Sequence, residues 1–316
     1  MSNEIKTYSC SDDILDEIFN KKYKILNLID KGSFSQVFEI VNLKNNLNYV
    51  VKIMLIDNDL NTRETIYDEI KILSKLNSPY IIKLYEVFFS EQRFFLIMEK
   101  ADGNLRDLLK KFSFINDKIA SKIFNKILLG VKYLHDSNIV HRDIKFQNIL
   151  YITENKSIDY NNQEEFINHI QIKIIDFGLS AEIIHPQNKN YFIFKKNISY
   201  LKKRDTQLGD LWGTKEYMAP EIYFHKYGRQ IDIWSLGCVL FEILTGSVAF
   251  RTREIKLHLF YKIIFGIKRT FEYNTNYINL SADVKKFIKK MIKISPVKRY
   301  DIDECLKDNW ICQYNK

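Results

Sequence analysis

The chain has 316 residues, 46% of them hydrophobic and 28% charged, which supplies apolar material for one large core or two smaller ones. Forty-eight lysines and arginines against 39 aspartates and glutamates give a net charge of +9; the basic residues are spread along the chain without an arginine-rich arm, so no nucleic-acid partner is expected. The absence of any run of about 18 apolar residues excludes a membrane-spanning helix, and the four scattered cysteines (Cys10, Cys238, Cys305 and Cys312) show neither a CxxC pair nor a metal-ligand spacing.

Met1-Ser2-Asn3-Glu4 has neither the layout of a secretion signal nor a glycine at position 2 for myristoylation. Reduced thiols in the cytoplasm, with access to the nucleus, are the expectation. Residues 1–22 read as a short polar extension, in which 12–19 suits a brief amphipathic helix. Short β-type runs follow at 23–29, 37–43 and 49–55, divided by polar turns such as Lys44-Asn45-Asn46. Residues 65–76 read as a helix with Ile66, Ile70, Leu73 and Leu76 on one side. Runs at 80–88 and 93–99 complete five antiparallel strands.

After Asp102-Gly103-Asn104 the period becomes helical, at 119–134, 231–244, 255–267, 282–292 and 302–309. The expected fold class is therefore α+β in two lobes: a small antiparallel β-rich lobe with one helix over 23–101, then a larger helical lobe over 102–312. Two loops are long enough to stand out. The first, 153–171, reads as a disordered surface insertion. The second, 182–209, carries a basic patch of Lys195, Lys196, Lys202, Lys203 and Arg204 and reads as regulatory.

Two motifs carry chemistry. His141-Arg142-Asp143-Ile144-Lys145-Phe146-Gln147-Asn148-Ile149-Leu150 places a carboxylate, an ammonium and an amide in one short loop. Ile174-Ile175-Asp176-Phe177-Gly178 adds a second carboxylate downstream. A carboxylate and an amide are the hard oxygen ligands that Mg²⁺ accepts beside phosphate oxygens and water, and such a set suits phosphoryl transfer from a metal-bound nucleotide.

This pair resembles the catalytic loop and magnesium loop of protein kinases, and the resemblance runs from about Tyr23 to Ile311. It implies ATP and Mg²⁺, with Mn²⁺ as an alternative, and protein substrates with Ser or Thr acceptors. Asp143 would be the catalytic base, Lys145 the cation beside the transferred phosphate, and Asn148 and Asp176 the metal ligands. Lys52 would reach the α- and β-phosphates, paired with Glu69. The phosphate-covering loop of the family, G-x-G-x-x-G-x-V, would be Asp30 through Val37; Gly32 is present, whereas Asp30 and Ser35 replace the other two glycines. Val37, Val50 and Leu150 would line the adenine. Met98 would be the gatekeeper, followed by the connector Glu99-Lys100-Ala101, and Asn104 would meet the ribose.

Lys145 two residues after Asp143 looks like the serine/threonine type. Residues 282–311 and 174–181 look most like the calcium/calmodulin-dependent and calcium-dependent group. Glu221 in Ala219-Pro220-Glu221 and Arg299 resemble the family's buried ion pair, and Asp232 the aspartate that holds the catalytic loop. Family members that select arginine-rich peptides carry acids at the positions of Asn104, Gln147 and Glu242; only Glu242 is acidic here. Strong selection for arginine is therefore not expected; the basic patch at 195–204 points instead to acidic protein substrates, acted on by a monomer. Asp210 stands where a phosphothreonine usually engages Arg142, which implies basal activity without that phosphate. The alternative is a pseudokinase scaffold, suggested by Asp30, Ser35 and Val50.

Overall fold

The computed structural model of the chain describes residues 5–9, 11–32, 35–56, 60–112, 115–154, 161–183, 214–224, 227–250 and 274–315. They divide into two compact units: residues 1–77 with 81–102, and residues 78–80 with 103–316. The expected helix at 255–267, the basic patch at 195–204 and Asp210 lie outside the described residues.

The first unit runs β1 (Lys6–Ser9), α1 (Asp12–Lys22), β2 (Tyr23–Lys31), β3 (Ser35–Asn42), β4 (Asn48–Leu55), α2 (Leu60–Lys75), β5 (Leu84–Phe89) and β6 (Arg93–Met98). Its sheet has six strands in the order β1-β5-β6-β4-β3-β2, rather than the five expected. The added strand, β1, pairs in parallel with β5, from Lys6 opposite Glu86 to Ser9 opposite Phe89. Two aromatic side chains draw this polar lead-in onto the sheet. Tyr8 stacks on Phe88 with ring centroids 4.6 Å apart, and Phe19 enters the core formed with Tyr23, Ile40, Val51, Phe88, Phe95 and Ile97. Burying one such side chain stabilises by about 1.5–3 kcal/mol.

The lead-in's charges are partners for the sheet. Arg93 contacts Asp12 at 3.1 Å and Asp16 at 3.0 Å, and Lys22 contacts Glu86 at 2.5 Å. The strand expected at 80–88 begins only at Leu84. Residues 78–80 belong to the second unit, where the Tyr80 carbonyl accepts from the Ile174 amide at 2.8 Å.

The second unit contains β7 (Gly103–Asn104), α3 (Leu105–Lys110), α4 (Asp117–Asp136), β8 (Ile139–Val140), β9 (Ile149–Thr153), α5 (Gln163–Asn168), β10 (Ile170–Ile174), β11 (Ala181–Glu182), α6 (Gln230–Thr245), α7 (Thr275–Ile278), α8 (Ala282–Met291), α9 (Ile302–Leu306) and α10 (Asn309–Cys312). Helix α4 buries Ile123, Phe124, Ile127, Leu128, Val131 and Leu134, the stripe its 3.6-residue period dictates. Helix α6 is buried along almost its whole length. The helix expected at 302–309 is two helices, because Asp308 leaves the helical conformation and its side chain accepts from the Trp310 amide at 3.1 Å to cap α10.

The insertion at 153–171 is not wholly the disordered loop its polarity suggests. Within it, α5 buries Phe166 and Ile167. Lys118 and Lys122 of α4 pair with Glu164 at 2.7 and 2.9 Å, and Lys126 donates to the Ile167 and Ile170 carbonyls, both at 2.6 Å. Burial holds the Lys126 ammonium below its usual range. The polar residues are anchors because lysines spaced four apart share one face of α4.

Among the described residues, no helix is long and apolar enough to cross a membrane. Cys238 and Cys305 are buried free thiols, and Cys312 is exposed.

Candidate active site

In the first unit, Lys52 sits in the middle of β4, opposite Val37 of β3 and Leu96 of β6. Its ammonium lies 2.7 Å from the Glu69 carboxylate on α2, and Glu69 is buried. Val50 lies opposite Met98 across the β4–β6 ladder, so these two residues and the connector are neighbours. The Glu99 amide donates to the Lys83 carbonyl at 2.9 Å, which fixes the start of the connector; Ala101 is half-buried at its end. The turn between β2 and β3 closes through the Gly32 amide and the Ser35 carbonyl at 2.8 Å. A Cβ on Gly32 would stand 3.3 Å from the Ser35 hydroxyl, so the serine at the last glycine position favours glycine at the one that remains. Asp30 is exposed, and its carboxylate accepts from the Lys31 amide at 2.8 Å.

In the second unit the catalytic loop runs from β8 to β9. Asp143 is buried and accepts on both oxygens. Lys145 Nζ donates at 2.6 Å and Asn148 Nδ2 at 3.1 Å to Oδ2; the Thr214 amide and hydroxyl donate at 3.0 and 3.2 Å to Oδ1. Lys145 also reaches the Thr214 hydroxyl at 2.9 Å. Asn148 Nδ2 donates to the Asp143 carbonyl at 2.9 Å as well. With its NH₂ group so engaged, the Asn148 amide oxygen is directed elsewhere.

The β9–β10 ladder places Ile149 opposite Ile174, and the Ile175 amide donates to the Asn148 carbonyl at 3.0 Å. The residue before Asp176 is thereby tied to Asn148. The donor types these two residues carry, one amide oxygen and one carboxylate, fit a hard divalent cation that keeps water and phosphate ligands. Leu150, on the same β9, is half-buried opposite Asn104 of β7. Asn104 caps α3, its side-chain oxygen accepting from the Arg106 and Asp107 amides.

Two non-glycine residues of this region adopt left-handed backbone conformations, Arg142 at φ 69° and Asp176 at φ 68°. Such conformations cost about 1–3 kcal/mol when the surroundings impose them. For Arg142 the imposing group is Asp232, whose carboxylate accepts from the His141 and Arg142 amides, each at 2.9 Å, and contacts His135 Nε2 at 2.9 Å. Burial alone would raise the Asp232 pKa; the hydrogen bond and charge of His135 bring it below the usual value of 3.8. A carboxyl held low contributes stability above its unfolded pKa and loses it as pH falls through the folded one.

The Arg142 guanidinium donates to the Leu179 and Ser180 carbonyls. Arg299 forms a fork on Glu221 at 2.5 and 3.0 Å. Its charge also stands 5.1 Å from the centre of the Trp234 ring.

Gly130 of α4 has a positioning task. A Cβ there would lie 2.8 Å from Ile174 Cδ1 and 3.1 Å from Tyr80 Cβ, so glycine allows α4 to pack against the strand that leads to Asp176.

Sequence reasoning missed three participants: Thr214 as a double donor to Asp143, His135 beneath Asp232, and Arg106, which pairs with Glu242 at 2.6 Å. Glu242 is a correction. Read as a surface acid for peptide selection, it is buried, with both oxygens occupied, by Arg106 and by the Tyr217 hydroxyl. Partners 136 and 25 residues away leave no local signal.

Comparison with known proteins agrees with this geometry. The protein kinase domain model matches residues 23–311, and the chain belongs to the protein kinase family. Over 313 residues it is 32% identical to "Serine/threonine-protein kinase H1 homolog" of Pinctada fucata, covering 98% of this chain and 66% of that protein. Over 293 residues it is 29% identical to "Serine/threonine-protein kinase 33" of Mus musculus, covering 92% of this chain and 54% of that protein. The chain thus spans less than two thirds of the length of either relative.

Proposed function

We propose that the protein is an active serine/threonine kinase that transfers the γ-phosphate of ATP to a protein hydroxyl. The observation that carries this is the buried Asp143, oriented by Lys145, Asn148 and Thr214. Asp143 would accept the acceptor hydroxyl's proton as that oxygen attacks phosphorus, and Lys145 would offset the charge developing on the transferred group. Lys52, held by Glu69, would neutralise the α- and β-phosphates. Asn148 and Asp176 would hold Mg²⁺, or Mn²⁺, which when bound screens the phosphate charge. The serine/threonine names of both relatives support the acceptor class. The sequence resemblance favours the calcium/calmodulin-dependent group.

The pseudokinase alternative rests on the loop around Gly32, where the exposed Asp30 bonds its own turn. Transfer to a degenerate Ser/Thr peptide library, with and without Mg²⁺ and Mn²⁺, decides between the two. Metal-dependent incorporation supports the kinase, and its absence with intact folding supports the scaffold. Basal activity is proposed to need no loop phosphate, since Arg142 already donates to two carbonyls and Asp210 stands in the phosphothreonine's place. Asp210→Ala is expected to lower turnover of phosphatase-treated protein severalfold; unchanged turnover would remove Asp210 from the account.

A further inference from the structure

A path of side-chain contacts and short backbone links leaves Asp143 and returns to it, a circuit through Thr214, Tyr217, Glu242, Arg106, Phe146 and Lys145. Thr214, its double donor, leads three residues on to Tyr217. The Tyr217 hydroxyl donates to Glu242, and Glu242 pairs with Arg106 at 2.6 Å. The Arg106 guanidinium stands 5.7 Å from the centre of the Phe146 ring, and Phe146 adjoins Lys145, whose ammonium returns to Asp143 at 2.6 Å. Tyr217, Glu242 and Phe146 are buried, so Arg106 is the member of the circuit most open to an approaching polypeptide.

The circuit's charge is uneven. The Glu242 side chain is 5% exposed and the Arg106 side chain 50%. Burial and the Glu242 carboxylate push the Tyr217 phenol well above its usual pKa, so it remains a neutral donor to Glu242. The anion is therefore underneath, with a cation as its cover. The nearby Gln147 is exposed and neutral, and Asn104 is spent on capping α3.

We infer that Arg106 is a specificity-determining residue: by covering Glu242 it turns an anionic acceptor surface cationic, selecting an acidic side chain near the acceptor and rejecting arginine. The inference rests on the kinase reading and deepens it to a substrate class. A half-exposed guanidinium over an aromatic ring retains donors for a second carboxylate. A substrate arginine would meet like charge over a pair already complete.

The test is a positional-scanning Ser/Thr peptide array with wild type, Arg106→Ala, Arg106→Gln and the double variant Arg106→Ala, Glu242→Gln. The readout is the ratio of kcat/KM for an acidic against an arginine residue at each position, which cancels any general loss of turnover. Wild type is expected to favour the acid about tenfold at one position near the acceptor. Both single variants should reverse the ratio at that position as the cation over Glu242 is lost, and the double variant should abolish the preference. Thermal melts confirm folding, and Arg106→Gln, which keeps a donor for Glu242, reports if Arg106→Ala unfolds. A ratio unchanged in the single variants, or the same in single and double variants, overturns the inference and leaves the kinase reading intact. No transfer by wild type to any peptide overturns both.

Discussion

In the first unit, Lys52 reaches Glu69 across 17 residues of sequence, and the contact exists only because α2 docks on the sheet. In the second, Asp143 takes donors from two and five residues away, so one of its carboxylate oxygens is satisfied once the loop closes, and Thr214 satisfies the other. The first arrangement depends on apolar packing some distance from the charges. The second depends on polar groups that satisfy one another under burial. A site built in the first way fails when its core loosens; one built in the second way fails when a single partner is removed.

That contrast orders the perturbations. Glu221→Ala leaves Arg299 buried without its carboxylate, and it should destabilise the protein by about 3–5 kcal/mol. Urea unfolding measures this, and a loss near zero would break the claim that the second unit relies on paired buried charge. Phe19→Ala opens a cavity among Tyr23, Phe88 and Phe95; a similar or smaller loss of about 3–5 kcal/mol is expected. Hydrogen exchange should localise it to β1, α1 and β5, whereas exchange confined to residues 5–22 would show the lead-in to be detachable. Gly130→Ala forces Ile174 and Tyr80 to give way and should cost about 1–3 kcal/mol. If α4 and β10 position Asp176, that variant also raises the Mg²⁺ concentration needed for half-maximal turnover; a stability loss with no change in Mg²⁺ dependence would limit Gly130 to packing.

Much of this was legible in the sequence, for physical reasons that differ by element. The strands from Tyr23 to Met98 and the long α4 announce themselves through period and burial. Asp143, Lys145 and Asn148 are legible because their partners are mutual neighbours in the chain. Lys52 with Glu69 and Glu221 with Arg299 follow from the family resemblance, since nothing local joins them. The helix at 12–19 is present as α1, but the docking of the lead-in and of α5 was not legible, because one or two buried aromatics, Phe19 in the first and Phe166 in the second, decide their placement against a polar majority. Glu242 was misjudged because its partner Arg106 is 136 residues away. Thr214, 71 residues from Asp143, lay inside a recognisable segment, but its donor role needed coordinates.

The central claim is that Asp143 is the catalytic base, and its most direct test is γ-phosphate transfer to protein or peptide by wild type and Asp143→Asn under saturating ATP and Mg²⁺. The substitution keeps the shape and removes the proton acceptor. Transfer should fall about a thousandfold with nucleotide binding and melting temperature little changed. Transfer undiminished in Asp143→Asn would contradict the account.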